Sequence, residues 1–261
     1  PDETLFALDQ FVLRGGRMIV FLDPLSYFEM ANTRASGPMP PQTEPSDLEK
    51  LLDAWGVAFE PGKLLADLQY ELEWQDRSGR MQRDPLMLRL DGDAFSDDDP
   101  ATSQLETAIF AYAGAFSGMP VDGLEKTVLV ESSIDSQLVD SFKARMSIPE
   151  IVKEFESSGV SNAMVIRLTG TFPTAFPDGD PTEDAEENGD DTVAEEDGET
   201  GGESAEDGEP VLASGRSTVV LAADTDLLYD AFCVQRLNFL GQNLLQPMSD
   251  NPALLLNLVE Q

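Results

Sequence analysis

The chain has 261 residues, of which 16 are Lys or Arg and 50 are Asp or Glu, so its formal net charge is −34. This charge disfavours direct binding to nucleic acid or to an anionic lipid surface, because both carry the same sign of charge. The sequence contains no His and a single cysteine, Cys233. Ser-His-Asp and Cys-His catalysis, His-ligated metals and an intrachain disulfide are therefore excluded within this chain.

The two ends of the sequence suggest that it is part of a longer protein. No apolar run reaches the roughly 18 residues that a membrane-spanning helix needs, and no signal peptide is visible. However, the sequence starts at Pro1 in what reads as the approach to a helix. It ends at Gln261, directly after an apolar helical pattern. We therefore expect an excised part of a longer protein that is anchored in a membrane.

The first residues alternate between helical and strand patterns. Apolar residues at helical spacing predict a helix over 3–14, and Gly15-Gly16 ends it. Met18–Leu22 is a continuous apolar run, which is typical of a strand buried on both faces. Residues 31–45 are rich in Pro, Ser and Thr and indicate a loop.

The next segment begins with a capping box, in which Ser46 and Glu49 predict the start of a helix. Gly56 is placed to end that helix. Short strands are predicted over 57–59 and 63–66, on either side of a Pro-Gly turn.

The middle of the chain is less regular. Apolar runs predict strands over 86–90 and 127–130, whereas 107–116 fits either a strand or a buried helix. A Ser-Ile-Pro-Glu sequence predicts a helix over 147–155. Met164–Leu168 reads as a strand that runs on towards Phe176.

An acidic insert follows. Residues 177–210 contain 16 acidic residues and no Lys or Arg, which predicts a disordered loop. Without it, 34 acidic and 16 basic residues remain, a net charge of 16 − 34 = −18, so the rest of the chain is still acidic. The alternative is a cation site with oxygen ligands at Asp178, Asp180, Glu183 and Asp184, although the EF-hand loop pattern is absent.

The last segment resumes the alternation. A strand is predicted over 217–222 and a helix over 227–232. Asn251 followed by Pro252 predicts the N-cap and first position of a Leu-rich helix over 253–259. Strands of the doubly buried type that alternate with helices predict a single α/β domain over 1–261 with a largely parallel sheet.

Three aspartates are the main candidate site. Asp23 and Asp224 each follow a predicted buried strand, and Asp226 lies two residues beyond Asp224. If the two strands are neighbours, these carboxylates converge at their carboxyl ends and could bind Mg²⁺, Ca²⁺ or a small ligand, as in a metal-assisted hydrolase. The alternative is structural: Asp23 precedes Pro24 in a turn, and Asp224 suits a helix N-cap.

Other candidates have weaker signals. Ser132 and Ser133 follow a predicted strand, but no S-x-x-K motif supplies a base, so we expect ordinary hydroxyls. The alternation of Tyr70–Trp74 indicates an exposed strand that could bind a partner, whereas Trp55 falls on the apolar face of its helix. Four aromatic residues could together line a ligand groove: Trp55, Trp74, Tyr70 and Phe110.

Several segments together resemble one family. They are Leu8–Arg17 (LDQFVLRGGR) running into Val20–Pro24, Leu51–Pro61 (LLDAWGVAFEP), Leu168–Phe172 with Ala175-Phe176, and Val219–Leu228 (VVLAADTDLL). In these segments the sequence is similar to the extracytoplasmic domain of GldG-type auxiliary components of ABC transport systems, which were first associated with gliding motility. The acidic insert is a departure from the family.

The resemblance implies a three-layer α/β domain of the flavodoxin-like or class I glutamine-amidotransferase-like kind. It implies a location at the inner membrane of a bacterium, with this domain facing the periplasm. It also implies an ABC permease and an ATPase as partners, and a cell-envelope protein or transported cargo as further contacts. No cofactor is implied. Because the amidotransferase Cys-His pair cannot form without His, we expect a non-catalytic binding or assembly module, with ATP hydrolysis in a separate subunit.

Overall fold

The computed structural model describes residues 2–36, 48–75, 79–181, 210–239 and 242–261. Helices and strands mix near both ends of the chain, whereas the middle, from residue 58 to residue 140, consists of successive strands and one 3₁₀ turn. The helices are α1 (Asp2–Leu13), α2 (Tyr27–Ser36), α3 (Glu49–Trp55), α4 (Ser141–Met146), α5 (Ile148–Lys153), α6 (Asp230–Cys233) and α7 (Asn251–Val259). The strands are β1 (Met18–Phe21), β2 (Ala58–Phe59), β3 (Lys63–Asp67), β4 (Glu71–Gln75), β5 (Met81–Leu90), β6 (Ala108–Ala111), β7 (Phe116–Ser117), β8 (Leu124–Glu131), β9 (Ser136–Asp140), β10 (Ala163–Pro173), β11 (Ser214–Ala222), β12 (Val234–Phe239) and β13 (Gln242–Pro247).

The described strands form one larger sheet and three small ones. The larger sheet has the order β1-β11-β10-β7-β2, and β8 also pairs with β10. β4, β5 and β6 form a three-stranded sheet, β3 pairs with β9, and β12 pairs with β13. The chain is therefore a mixed α/β protein, and the α/β prediction is confirmed.

The predicted largely parallel sheet is confirmed only for one pairing. β1 and β11 are parallel, with Met18 opposite Val219 and Phe21 opposite Ala222. The other pairings between described strands are antiparallel. Continuous apolar strands misled the prediction, because antiparallel strands that are covered on both faces have the same composition as parallel ones. A flavodoxin-like or amidotransferase-like arrangement, which needs a parallel sheet, does not follow from these pairings.

Apolar clusters lie on both faces of the larger sheet. On one face, Met18 and Val20 of β1 pack with Val12, Trp55 and other residues of α1 and α3. On the opposite face, Ile19 and Phe21 pack with residues of α7 and of the smaller sheets. This alternation follows from the two-residue period of a strand. β1 is half-buried rather than buried, because it is the end strand of the described sheet.

Most predicted elements are present. The helices predicted near the start and over 147–155 correspond to α1 and α5, and Ser147 caps α5 by accepting from Glu150 N–H at 3.4 Å. The open choice for 107–116 is settled as a strand, β6. The helix predicted over 227–232 is a 3₁₀ turn over Asp226–Leu228 followed by α6.

Three local predictions are wrong. Residues 31–36 belong to α2 and not to a loop, because the N-terminus of this helix is capped from elsewhere in the chain. α3 begins after Leu48, so it has no Ser46 N-cap, and Ser46 itself lies outside the described residues. Asn251 is the first residue of α7, after Asp250 as N-cap.

The acidic insert and the absence of membrane-spanning helices are the two remaining expectations. Of the acidic insert predicted over 177–210, only 177–181 and 210 are described, so its predicted disorder and its candidate cation ligands Glu183 and Asp184 lie outside the described residues. Among the described residues, no helix has both the length and the apolar character needed to cross a membrane.

Candidate functional site

The parallel pairing of β1 with β11 brings the three candidate aspartates together. Asp23 follows β1, whereas Asp224 and Asp226 follow β11 at the same end of the pair. One carboxylate oxygen from each residue lies within 4.8 Å of the others. All three side chains are buried, Asp224 completely. The predicted convergence at the carboxyl ends of these strands is therefore observed.

The carboxylate of Asp23 accepts hydrogen bonds from its own turn and from the loop after β11. Its Oδ1 accepts from Leu25 N–H at 3.0 Å, which closes the turn that contains Pro24. Its Oδ2 accepts a short hydrogen bond from the hydroxyl of Thr225. Both oxygens are thus used inside the protein, as the structural alternative predicts.

Asp224 joins β11 to β6. Its Oδ2 accepts from Ala111 N–H at 2.7 Å, and its Oδ1 accepts from Asp226 N–H at 2.7 Å. The second bond resembles the predicted N-cap, although Thr225 occupies the N-cap position of the 3₁₀ turn. Since these two N–H groups are buried, Asp224 supplies acceptors that they would otherwise lack.

Asp226 caps a helix from a distance. Its Oδ2 accepts from Tyr27 N–H and its Oδ1 from Phe28 N–H at 3.1 Å, with the Ser26 hydroxyl at 3.5 Å. These amides belong to the first turn of α2, which has no partners for them within the helix. A negative charge at this end of a helix is also favourable.

The three carboxyls hold protons more tightly than ordinary aspartates. Burial raises the pKa of Asp23 to about 6, although hydrogen bonds from Thr225 and Leu25 oppose the shift. Burial, and then the charge of Asp23, raise the pKa of Asp224 well above its usual value. Burial also raises the pKa of Asp226. Like charges this close do not all ionise readily, because each ionised carboxylate raises the cost of ionising the next.

The arrangement is compatible with two roles, namely cation binding and a structural junction. A carboxylate oxygen has two lone pairs, so oxygens that already accept from the protein could also coordinate a hard cation. Yet each of the six oxygens already accepts from a protein donor, all of them neutral. This set of partners fits a hydrogen-bonded junction of two loops and a helix.

The predicted serines belong to a separate polar network. Ser133 donates from its hydroxyl to Asp67 Oδ1 at 2.9 Å and from its N–H to Oδ2 at 2.7 Å. Asp67 also accepts from the N–H groups of Gln69 and Tyr70. The Ser132 hydroxyl is hydrogen-bonded to Ser133 O at 2.9 Å. These hydroxyls fix loops, in agreement with the expectation of ordinary hydroxyls.

The three candidate aromatic residues whose side chains are described do not form a groove. Trp55 is completely buried and contacts Phe172 edge-to-face at a centroid distance of 5.3 Å. Tyr70 and Phe110 belong to the apolar cluster on the α7 side of the sheet. The side chain of Trp74 lies outside the described residues. The groove hypothesis is wrong for the three that are described. β4, predicted as an exposed strand, is an end strand of its sheet.

Sequence reasoning missed an ion pair. Arg167 of β10 donates to both oxygens of Asp99, at 2.5 and 3.1 Å. Burial by itself raises the pKa of Asp99, but the hydrogen bonds from Arg167 outweigh burial, so the pKa is lowered. No local signal could have found this pair, because 68 residues separate its members. Thr225 was also missed, although its position between Asp224 and Asp226 was a visible clue.

Comparison with known proteins identifies the family. Residues 1–258 match the model of a family described as "ABC-type uncharacterized transport system". The chain belongs to this family. No curated protein matches the chain, and no solved structure matches it. The family match supports the ABC-transport part of the sequence-based prediction.

Proposed function

We propose that the chain is a non-catalytic auxiliary component of an ABC transport system and that it acts by association with the other components. The observation that carries the proposal is the family match over 1–258. The absence of His from the sequence is consistent with it, because His-dependent chemistry is excluded.

The finer assignment follows from the sequence resemblance. On that basis the component is of the GldG type, in a system related to gliding motility. It works at the inner membrane of a bacterium, with this domain on the periplasmic side. Its partners are the permease and the ATPase, and a cell-envelope protein or the cargo is a further contact. ATP is hydrolysed by the separate ATPase subunit.

Co-purification tests this function. The full-length protein is tagged, expressed with its chromosomal neighbours and extracted in a mild detergent. We expect an ATPase and a permease in stoichiometric amounts. The control is an unrelated acidic protein with the same tag, which should retain neither subunit. Recovery of the tagged protein without a permease or an ATPase would contradict the proposal.

The second candidate is a metal-assisted hydrolase or ligand-binding module at Asp23, Asp224 and Asp226. The convergence of their oxygens within 4.8 Å favours it. The test is thermal unfolding with Mg²⁺, Mn²⁺ or Ca²⁺. A rise in Tm that disappears in Asp224→Asn but persists in Asp250→Asn would support a cation site. Asp250 is the matched control, because its carboxylate also accepts two backbone N–H groups. Unchanged Tm values with all three ions would contradict this candidate.

A further inference from the structure

The outer edge of β1 has backbone groups that point away from the sheet. Leu22 N–H donates to Ala222 O, and alternate residues of a parallel strand direct their backbone groups to the same neighbour. Val20 therefore faces β11, whereas the N–H and C=O of Ile19 and Phe21 point outward. Within the part of the chain that the structure describes, no hydrogen bond reaches these outward groups.

This edge carries few of the features that usually prevent strand addition, although β1 itself has only four residues. Met18–Phe21 contains no charged residue and no proline, and its register with β11 has no bulge. The side chains on both faces pack against the two apolar clusters. What stays open is the backbone edge itself.

An apolar groove lies beside the edge. It has a volume of about 470 Å³ between the sheet and the end of α7, and Ile19, Val220 and Leu258 line it. The outer side of α7 is also apolar, with Leu256 62% exposed and Val259 66% exposed. A strand hydrogen-bonded to β1 would direct alternate side chains towards this groove, which is how strand addition gains specificity.

The charge beside the groove selects the kind of partner. Its lining contains two arginines and no Asp or Glu. Arg167 is paired with Asp99, whereas among the described residues exposed Arg17 forms no ion pair with an Asp or Glu side chain and donates to the backbone oxygen of Gln261. An acidic group is therefore favoured near Arg17. Self-association is disfavoured, since two copies would each bring a charge of −34.

We propose that the outer edge of β1 binds an extended strand from a partner protein. The strand forms backbone hydrogen bonds with Ile19 and Phe21, places apolar side chains in the groove next to α7 and an acidic residue near Arg17. This inference rests on the proposed function in one respect, namely that the partner is another component of the transport assembly.

The first test uses a peptide and the isolated chain. The peptide Glu-Thr-Val-Val-Leu-Ala-Glu copies Thr218–Ala222, of which Val219–Ala222 already pairs with β1, and adds acidic ends. We expect binding with a Kd below about 1 mM and slower hydrogen exchange at the Ile19 and Phe21 amides. The control peptide has Pro at its central position and should not bind, because it lacks a donor.

Two variants locate the binding. Ile19→Pro removes one outward donor and should abolish peptide binding, whereas Ile19→Val keeps the donor and should bind normally. If Ile19→Pro does not fold, Val259→Glu replaces it, because this exposed position brings a carboxylate next to the acidic peptide. Equal binding by the variants, equal binding of the Pro peptide, or no binding overturns the proposal. Ile19 and Phe21 amides that exchange as slowly as Val20 in the free chain also overturn it.

The second test uses the purified transport assembly. We expect exchange at the Ile19 and Phe21 amides to slow by at least about tenfold relative to the free chain. An assembly that forms without this change refutes strand addition and leaves the proposed function intact. If no assembly forms, the proposed function fails and the peptide test alone decides the strand-addition proposal.

Discussion

Two groups of buried carboxylates in this protein are stabilised by different partners. Asp99 accepts two hydrogen bonds from the guanidinium of Arg167, and their side chains are only 9% and 16% exposed. Asp23, Asp224 and Asp226 accept hydrogen bonds only from neutral amides and hydroxyls. Both groups join segments that are far apart in the sequence.

The pKa values of the two groups shift in opposite directions. Burial raises the pKa in both groups, but at Asp99 the guanidinium of Arg167 outweighs burial and lowers the pKa below its usual value. At Asp23, burial outweighs the neutral donors and raises the pKa to about 6. The comparison shows that neutral hydrogen bonds satisfy a buried carboxylate geometrically without compensating the cost of its charge.

Arg167→Met should have the largest effect on stability. It leaves Asp99 without its cation, so we expect the free energy of unfolding to fall by about 4 kcal/mol in urea titrations. The control is Lys143→Met, which breaks the exposed pair with Glu154 and should change stability far less. Equal losses in the two variants would show that the burial of Asp99 has no energetic consequence.

Asp224→Ala should have the next largest effect. It leaves the N–H groups of Ala111 and Asp226 unpaired, and two buried donors at roughly 1.5 kcal/mol each predict a loss of about 3 kcal/mol. Urea titration with Asp250→Ala as the control measures it. A loss below that of the control would contradict the junction role.

The contribution of Asp23 to folding stability should depend on pH in the opposite sense to that of Asp99. Its pKa is higher in the folded chain than in the unfolded chain, so its contribution to stability is complete below about pH 4 and is lost as the pH rises through 6. Relative to Asp23→Asn, the unmodified chain should lose up to about 3 kcal/mol between pH 4 and pH 8. Asp99 behaves oppositely, since its contribution is lost as the pH falls. A difference that is constant with pH would contradict the shift at Asp23.

Ser133→Ala should have the smallest effect. It removes one of four donors to Asp67 and leaves the others in place, so we expect a loss of about 1 kcal/mol. The measurement is again urea unfolding, with Ser158→Ala as an exposed control. A loss as large as that of Asp224→Ala would mean that the Asp67 network depends on this one hydroxyl.

Local patterns predicted the elements that are decided locally. Apolar spacing sufficed for α1, and the Ser147 cap sufficed for the start of α5. The convergence of the three aspartates was also predictable, because it needs only that two strands be parallel neighbours.

Distant partners decided the features that the sequence did not reveal. The start of α2 is capped by Asp226, 198 residues away from Phe28, so residues 31–36 of this helix were misread as part of a loop. The direction of β10 is set by its pairing with β8 and β11, which strand composition does not encode. The distant donors to Asp224 and Asp226, the N–H groups of Ala111, Tyr27 and Phe28, were equally invisible, since backbone N–H groups have no sequence signature.

The most direct test of a non-catalytic role is ATP turnover by the isolated chain and by its purified transport assembly. The account predicts no turnover by the chain alone. It also predicts unchanged turnover per ATPase subunit when Asp224→Asn, shown to be folded by circular dichroism, replaces the original chain in the assembly. ATP hydrolysis by the chain alone, or loss of turnover in a fully assembled Asp224→Asn complex, would contradict it.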